Sequence, residues 1–398
     1  MRWKQREAFA LRNGVMEAVV LAGGGHLAAL RLVGAQSPTC NALWEAPWLT
    51  ADPDTPSFTA LGAQYGGPPA GQFLAGFTGH ALCLDTFGPP SHDDEAHGAA
   101  LHGEAATRQW KITPTAGGCT MTVDLPRANL RFSRTLWHAE NQSVLFFEEQ
   151  LHNCGSASRA VHWVNHVTLG PPLLEPGHSA VQASVDACRT WPLGYEGRAI
   201  LPDNADFAWP HAPTLAGRAL DLRLPFEHPG KGFVVAARVC RAEPFAFIAA
   251  CNEKLGLMLL YCFRREDFAW IALWEENRAR PDTPWNGTTQ ARGMEFGTTP
   301  MPLGREAIHA MGPLFDAPVE RMLTAGGSHA ARYAVCLAAL SVDARTIEHV
   351  TVADEAFIVK LAGGGRKITL PTAGVKRFLL QKDDQTRELA PCPTIESG

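Results

Sequence analysis

The sequence has no long apolar run, no excess of positive charge and no paired cysteine motif. Its apolar stretches, such as residues 256–263, are far shorter than the roughly 20 residues that a membrane-spanning helix needs, so no membrane partner is expected. The formal net charge is -5. Because binding to phosphate backbones requires a basic surface, this charge argues against nucleic acid as a partner.

The ten cysteines are scattered singly along the chain, and no CxxC motif occurs. The charged N-terminal residues are not followed by the apolar stretch and cleavage site of a secretory signal. Scattered cysteines in a chain without such a signal are more often reduced core residues than disulfides or zinc ligands. We therefore expect a cytoplasmic protein with reduced thiols.

Helical periodicity is also scarce, and short apolar or alternating runs bounded by Gly, Pro, Asn or Asp recur instead. Examples of such predicted strands are residues 15–21, 27–33, 119–125, 130–137, 144–152, 160–168, 233–239, 245–251, 257–263, 268–274, 333–340 and 349–352. With 37 Gly and 29 Pro as punctuation, this pattern predicts an all-β fold, a large antiparallel β-sandwich.

Only Arg305–Met311 is predicted as a helix. Residues 52–71 and 89–100 are interpreted as long Pro/Gly-rich loops, which in compact domains often form the wall of a binding site. No linker divides the chain. Residues 1–398 are therefore predicted to form a single domain, with strands and loops up to the C-terminus packed on it.

Two isolated motifs are set aside. Residues 23–28 match the GxGxxA spacing of a dinucleotide-binding turn, but residues 27–33 are too short for the helix that this motif requires, so a hairpin turn is favoured. His162 and His166 are four residues apart, as metal ligands on a helix can be. They lie in a predicted strand without an HExxH motif, so no metal is expected.

Three segments carry the chemistry: residues 98–104, 162–170 and 273–300. Each places a His or Glu beside Gly, Pro or aromatic residues near the end of an apolar strand, where a β-scaffold presents side chains to a pocket. A lone strand histidine is usually a hydrogen-bonded structural residue. Three such segments in one chain favour a functional site, provided that the fold brings them together.

The order of these segments resembles the aldose 1-epimerase (galactose mutarotase) superfamily. Leu101-His102-Gly103 resembles its "LHG" histidine, Asn165-His166 its strand histidine, and Glu295, followed shortly by a proline, its C-terminal glutamate. The resemblance runs loosely to about residue 335. It implies a mutarotase-like supersandwich that binds a small-molecule carbohydrate without any cofactor.

The resemblance also implies roles for these residues in mutarotation, which opens a sugar ring at C1 and closes it on the other face. A general base takes the proton of the C1 hydroxyl, and a general acid protonates the ring oxygen. Glu295 is predicted as the base and His166 as the acid. His102 is predicted to stabilise developing negative charge or to position the ring oxygen.

Two residues that the family uses to bind the sugar have no counterpart in this chain, so other residues are considered for that role. The family's aspartate between the second histidine and the glutamate is missing, and so is its arginine ahead of "LHG". Asp85 lies near the latter position and is a candidate substitute. Trp274 and Trp285 are predicted either to stack on the sugar or to pack in the core, and Asn277 and Arg292 are candidate hydroxyl partners.

Two other functions stay open. A non-catalytic carbohydrate-binding or sensing protein would explain the missing aspartate. An epimerase for a modified or phosphorylated sugar would need a cluster of basic side chains, for which Arg278, Arg280 and Arg292 are the candidates. A purely structural role is least compatible with the polar-aromatic loops. Both a monomer and a homodimer fit the sequence.

Overall fold

Strands dominate the computed structural model, which describes residues 1–34, 40–96, 98–340, 346–363 and 365–381. The strands are β1 Arg2–Trp3, β2 Arg6–Arg12, β3 Met16–Leu21, β4 Leu27–Leu32, β5 His80–Asp85, β6 Lys111–Thr115, β7 Gly118–Leu125, β8 Leu130–His138, β9 Val144–Asn153, β10 Arg159–Leu169, β11 Ser179–Ala183, β12 Val185–Thr190, β13 Asp206–Ala208, β14 His211–Pro213, β15 Ala219–Asp221, β16 Lys231–Val239, β17 Phe245–Asn252, β18 Leu257–Arg264, β19 Trp270–Asn277, β20 Gln290–Gly297, β21 Arg321–Leu323, β22 Ser328–Ala339, β23 Ile347–Val352, β24 Ala356–Leu361 and β25 Lys367–Pro371. The helices are short: α1 Pro56–Gln64, α2 Ala70–Leu74, α3 His92–Ala96, α4 Arg305–Met311 and α5 Val375–Leu380.

Two large sheets form the body of the protein. The first has 12 strands in the order β1-β2-β3-β4-β5-β10-β20-β19-β16-β12-β13, with β21 attached to β10. The second has 8 strands in the order β11-β17-β18-β22-β9-β8-β7-β6. Neighbouring strands at the centre of both sheets pair antiparallel.

The two sheets face each other across one apolar core. Trp163 and Leu273 of the first sheet belong to the same buried cluster as Phe147 and Leu259 of the second. Each strand alternates between this core and the opposite face because successive side chains of a strand point to opposite sides. The prediction of a large antiparallel β-sandwich is confirmed.

A polar network is buried within this otherwise apolar layer. Arg134 donates to Glu149 at 2.8 Å and to the side-chain oxygen of Asn165 at 3.1 Å. Trp163 and Tyr333 also donate to Glu149, at 3.0 and 2.9 Å. Because every member has partners, the network fixes how β8, β9, β10 and β22 face one another.

The predicted loops at 52–71 and 89–100 contain helices, so that interpretation was wrong in part. Thr55 is the N-cap of α1: its hydroxyl accepts a hydrogen bond from the amide of Phe58 at 3.2 Å, and Pro56 occupies the first turn. Both are standard helix-start signals. The segment 89–100 contains α3. The predicted helix Arg305–Met311 is present with those bounds.

A third sheet, β23-β24-β25, lies against the outer face of the second sheet together with α5. Phe357 and Leu379 share a buried cluster there with Phe146 and Met258. The single domain over residues 1–398 stays a prediction, and residues 382–398 of it lie outside the described residues.

The cysteines follow the sequence prediction with one exception. Eight are free thiols, most of them buried. Cys154 is disulfide-bonded, so the expectation of reduced thiols is wrong at that position, and Cys392 lies outside the described residues. No helix among the described residues is long and apolar enough to cross a membrane.

Candidate functional site

His166 and Glu295 lie side by side on the outer face of the first sheet. They belong to the neighbouring strands β10 and β20, whose register pairs Asn165 with Phe296 and therefore sets His166 opposite Glu295. The Nε2 atom of His166 is 3.3 Å from Oε1 of Glu295. Their side chains are only 5% and 3% exposed, respectively, so the pair is held almost out of water.

The environment of Glu295 favours a protonated carboxyl group. Burial raises its pKa well above the ordinary value, because a carboxylate loses its hydration there. The thiol of Cys83 lies on the same face of the sheet, in a small apolar cluster with Val164 and Ala272. Burial also raises the pKa of that thiol well above its ordinary value.

His166 is held in place through its other ring nitrogen. Its Nδ1 atom lies 3.0 Å from the hydroxyl of Thr168, two residues along the same strand face. Burial lowers the pKa of His166 to about 3. Both shifts oppose charge on the pair, so burial favours a neutral imidazole beside a protonated carboxyl group.

His102 reaches the same point from a loop. Its backbone has a φ of 65°, an unusual conformation that often accompanies a functional role. The amide of Gly88 donates to its Nδ1 atom at 3.2 Å, so the neutral ring carries its proton on Nε2. Burial, with a contribution from His166, lowers the pKa of His102 well below the ordinary value. The two imidazole centroids are 5.6 Å apart.

These three side chains line one cavity of about 290 Å³. Aromatic rings form its walls: Trp274 lies 6.0 Å from His166 and 5.8 Å from Trp285, measured between ring centroids. On the other side Phe77 lies 5.1 Å from His166. The cavity thus combines apolar walls with a few converging polar groups, as binding sites for small molecules do.

An ion pair completes the cavity where it opens. Arg280 donates to Glu196 at 3.2 Å, and both residues line the cavity. The guanidinium lies 5.2 Å from the ring of Trp285 and 4.7 Å from that of Tyr195, a stacked arrangement that restrains its orientation. The sequence predicts Arg280 only as a phosphate partner. It does not predict Glu196, because no motif marks that residue.

Asp85 does not line this cavity. It accepts hydrogen bonds from Arg159 and Arg305 and borders a separate cavity of about 270 Å³. Its carboxylate is therefore already paired with two guanidinium groups. The prediction that Asp85 holds a sugar hydroxyl is therefore not supported for the cavity of His166.

Arg292 and Asn277 also lie away from the cavity, so their prediction as hydroxyl partners needs correction. On β20, Arg292 points to the side opposite Glu295 and is fully buried between the sheets. There it pairs with Glu275 and donates to the carbonyl of Leu222 at 2.7 Å. Asn277 accepts from the side chain of Gln290 at 3.1 Å. Successive side chains of a strand point to opposite faces. Arg292 is an odd number of residues from Glu295, and Asn277 is an odd number of residues from Trp274, so both point away from the cavity.

A larger groove of about 700 Å³ runs beside α1. It contains none of the three converging residues, and its polar side chains include Asp54, Glu104, Arg108 and Arg127. The smaller cavity is the better candidate site, because it combines buried acid–base groups with shifted pKa values. No group of three metal-ligating side chains occurs in the described ranges; the expected absence of a cofactor stays a prediction.

The fold and the cavity together define a β-sandwich with a small-molecule site on the outer face of its larger sheet. Solved structures with this architecture are found by comparison of coordinates. The resemblance inferred from the sequence is confirmed at the level of fold: the chain has the galactose mutarotase-like fold.

Three of these structures illustrate the likeness. A candidate aldose 1-epimerase from Klebsiella pneumoniae has a TM-score of 0.55 and 15% identity, over 86% of this chain and 82% of that one. A galactose mutarotase related enzyme from Lactobacillus acidophilus has a TM-score of 0.52 and 9% identity, over 84% and 98% of the two chains. An aldose epimerase homologue from C. elegans has a TM-score of 0.51 and 12% identity, over 84% and 100%.

Comparisons of sequence alone give no further relatives. Neither a protein-family profile nor a curated protein matches the chain. At 9–15% identity the structural likeness defines the fold, and the chemistry has to be argued from the site.

Proposed function

We propose that the protein binds a free aldose in the cavity of His166 and interconverts its anomers. The observation that carries this proposal is the convergence of His102, His166 and Glu295, remote in sequence, on one aromatic-walled cavity. Solved structures with the same fold, which include an aldose epimerase homologue and a galactose mutarotase related enzyme, support the same reaction class.

The reaction removes a proton from the C1 hydroxyl and delivers a proton to the ring oxygen. The base takes the proton of the C1 hydroxyl, the bond between C1 and the ring oxygen breaks, and its electron pair goes to the ring oxygen, which takes a proton from the acid. Rotation about the C1–C2 bond then exposes the other face of the aldehyde, and the reverse steps close the ring. Because both oxygens are bonded to C1, the acid and the base must be neighbours, as His166 and Glu295 are at 3.3 Å.

The proton count of the pair suits this exchange. Burial raises the pKa of Glu295 and lowers that of His166, which favours the state of the pair that holds one proton. For Glu295 to act as the base, its proton must first move to His166, against the direction of both pKa shifts; His166 is then the acid, and no net uptake of protons from solvent is needed. The group that donates in ring opening accepts in ring closing, so the pair returns to its starting state after each cycle.

His102 is proposed as a hydrogen-bond donor to the sugar. Since the amide of Gly88 occupies Nδ1, the proton on Nε2 is available to an oxygen at the bottom of the cavity. A fixed donor aimed at the ring oxygen stabilises the negative charge that develops there. Trp274 and Trp285 are proposed to pack against the C–H face of the sugar ring.

The test is a panel of freshly dissolved aldoses followed by NMR, with the protein at several concentrations. We expect the α/β interconversion of at least one sugar to accelerate in proportion to protein concentration above the spontaneous rate. Sugar binding without any acceleration would instead favour the second candidate, a carbohydrate-binding or sensing protein. The absence of a counterpart to the family's aspartate is the observation in its favour.

A phosphorylated sugar is the less favoured substrate. Arg280 is the one basic side chain among the described residues that line the cavity, apart from the two histidines. It is already paired with Glu196 and Glu276, each at 3.2 Å. Because two carboxylates outweigh one guanidinium, the opening of the cavity repels a phosphate group rather than attracting it.

A further inference from the structure

The middle of the cavity offers almost no hydrogen-bond partners. Of the seventeen residues that line it, five have ionisable side chains, three are tryptophans with one indole N–H donor each, and the other nine are apolar or glycine. Within the described part of the chain, no Ser, Thr, Asn, Gln, Asp, Lys or Tyr side chain lines the cavity. This composition is unusual for a site that receives a fully hydroxylated sugar, because each buried hydroxyl without a partner opposes binding.

The five ionisable groups are confined to the two ends of the cavity. The floor holds the buried residues His102, His166 and Glu295, which the proposed reaction at C1 and the ring oxygen already uses. The opening holds Glu196 and Arg280, whose side chains are 61% and 22% exposed. Apart from the indole N–H groups, which only donate, a hydroxyl therefore finds a polar side-chain partner beyond the floor only at the opening.

Apolar side chains bound the space between these ends. Trp274 and Trp285 connect floor to opening on one side, with their centroids 5.8 Å apart. Phe73 and Phe77 stack on the other side, 4.6 Å apart, and Phe73 lies 4.8 Å from the His102 ring. The remaining apolar lining includes Leu74 and Val234. A sugar ring placed with C1 at the floor would turn its lateral substituents toward these apolar groups.

We propose that the substrate is a deoxy aldose, in which hydrogen replaces one or more of the hydroxyls away from C1. This inference rests on the proposed sugar-binding function and narrows its substrate class. The apolar lining accepts a C–H or methyl group without loss, whereas a hydroxyl in the same place gives up its water and gains no partner. An apolar pocket rejects an added hydroxyl by up to about 100-fold, so a clear preference is expected.

Matched pairs of sugars test the proposal. The quenching or enhancement of tryptophan fluorescence on titration measures affinity, because Trp274 and Trp285 line the cavity. The pairs are 2-deoxy-D-glucose with D-glucose, 6-deoxy-D-glucose with D-glucose, and D-fucose with D-galactose. We expect the deoxy member of at least one pair to bind about tenfold more tightly than its parent. Parents that bind within about threefold of their deoxy partners in every pair, or no binding by any sugar, would overturn the proposal.

Two cavity variants locate the preference. V234T and L74Q each add a hydrogen-bonding group to the apolar lining, and we expect either to lower the deoxy preference several-fold. L215T is the matched control, because Leu215 is 67% exposed and does not line the cavity. A preference unchanged in both folded cavity variants would contradict its assignment to this lining.

The fluorescence titration does not depend on turnover. A deoxy preference without catalysed anomer exchange would leave the substrate-class inference standing and remove the proposed reaction. Catalysed exchange with equal affinity for parent and deoxy sugars would support the proposed reaction and remove the substrate-class inference. The two proposals can therefore fail separately.

Discussion

The carboxylate of Glu295 fills the space that a side chain at Gly293 would occupy. A Cβ atom on Gly293 would lie 2.0 Å from Oε1 of Glu295, and the atoms nearest to it all belong to that glutamate. Both residues point to the cavity face of β20, two positions apart. The glycine is therefore required by the orientation of the acid–base pair rather than by the backbone of the strand.

The first prediction follows from this contact. The substitution Gly293→Ala should push the carboxyl group away from His166 and lower the rate of anomer exchange at least about tenfold, since misplacement of a reacting group by about 1 Å can cost 100-fold. The melting temperature should change little, because Glu295 can swing into the cavity. G14A is the control, as a Cβ there meets nothing within 4 Å. An active G293A variant would show that the observed position of Glu295 is not needed.

A second prediction concerns stability against pH. Above about pH 6.5 an unfolded chain has released the protons of both Glu295 and His166, whereas the folded pair keeps one because burial raises the pKa of Glu295. The folded state then binds more protons, so stability falls as pH rises, by about 1.4 kcal/mol per pH unit until the carboxyl group ionises.

The E295Q variant lacks that retained proton. Its stability relative to the wild type should therefore increase as pH rises above about 6.5, as measured by urea unfolding over a pH series. Other titrating groups cancel in the comparison. Parallel pH profiles for the two proteins would mean that Glu295 is ionised in the folded state.

A third prediction concerns the pH dependence of exchange. The active pair holds one proton and is lost when it takes up a second. Because burial lowers the pKa of His166 to about 3, catalysed exchange should persist well below the range in which an ordinary histidine titrates. The measurement is the catalysed rate between pH 3 and pH 8 after subtraction of the spontaneous rate. A fall in that rate centred near about pH 6.5 would indicate a solvated His166.

A fourth prediction tests whether Arg292 stabilises the fold rather than binding the sugar. R292M should destabilise the protein by about 3–5 kcal/mol, because it leaves Glu275 buried without its partner. Sugar affinity per folded molecule should be unchanged, since Arg292 faces the interior between the sheets. R278M is the exposed control and should alter neither property. A selective loss of affinity in R292M would restore Arg292 as a binding residue.

The strand pattern was readable from the sequence because buried strands are short apolar runs between Gly and Pro. The run predicted at 144–152, for example, corresponds to β9, Val144–Asn153. The strands outside the predicted runs include β5 and β20, which lie on either side of β10 in the first sheet. In β20 the alternation of glycines with Arg292, Met294 and Glu295 hides the usual apolar signal.

The site was predicted in part. Histidine and glutamate motifs identified the residues that converge, because their order resembles a known family. Sequence could not assign the faces of β19 and β20, since a shift of one residue reverses every side chain, and this reversal placed Asn277 and Arg292 away from the cavity. Glu196 and the contacts of Arg280 depend on loops that meet only in the folded protein.

The most direct test of the account is the anomer exchange of one sugar, followed by NMR with wild-type protein and with E295Q at concentrations that saturate each with sugar. We predict that the wild type accelerates exchange in proportion to its concentration, and that E295Q binds the sugar but leaves the spontaneous rate unchanged. Equal acceleration by the two proteins, or none by either, would contradict the assignment of Glu295 and His166 as the reacting pair.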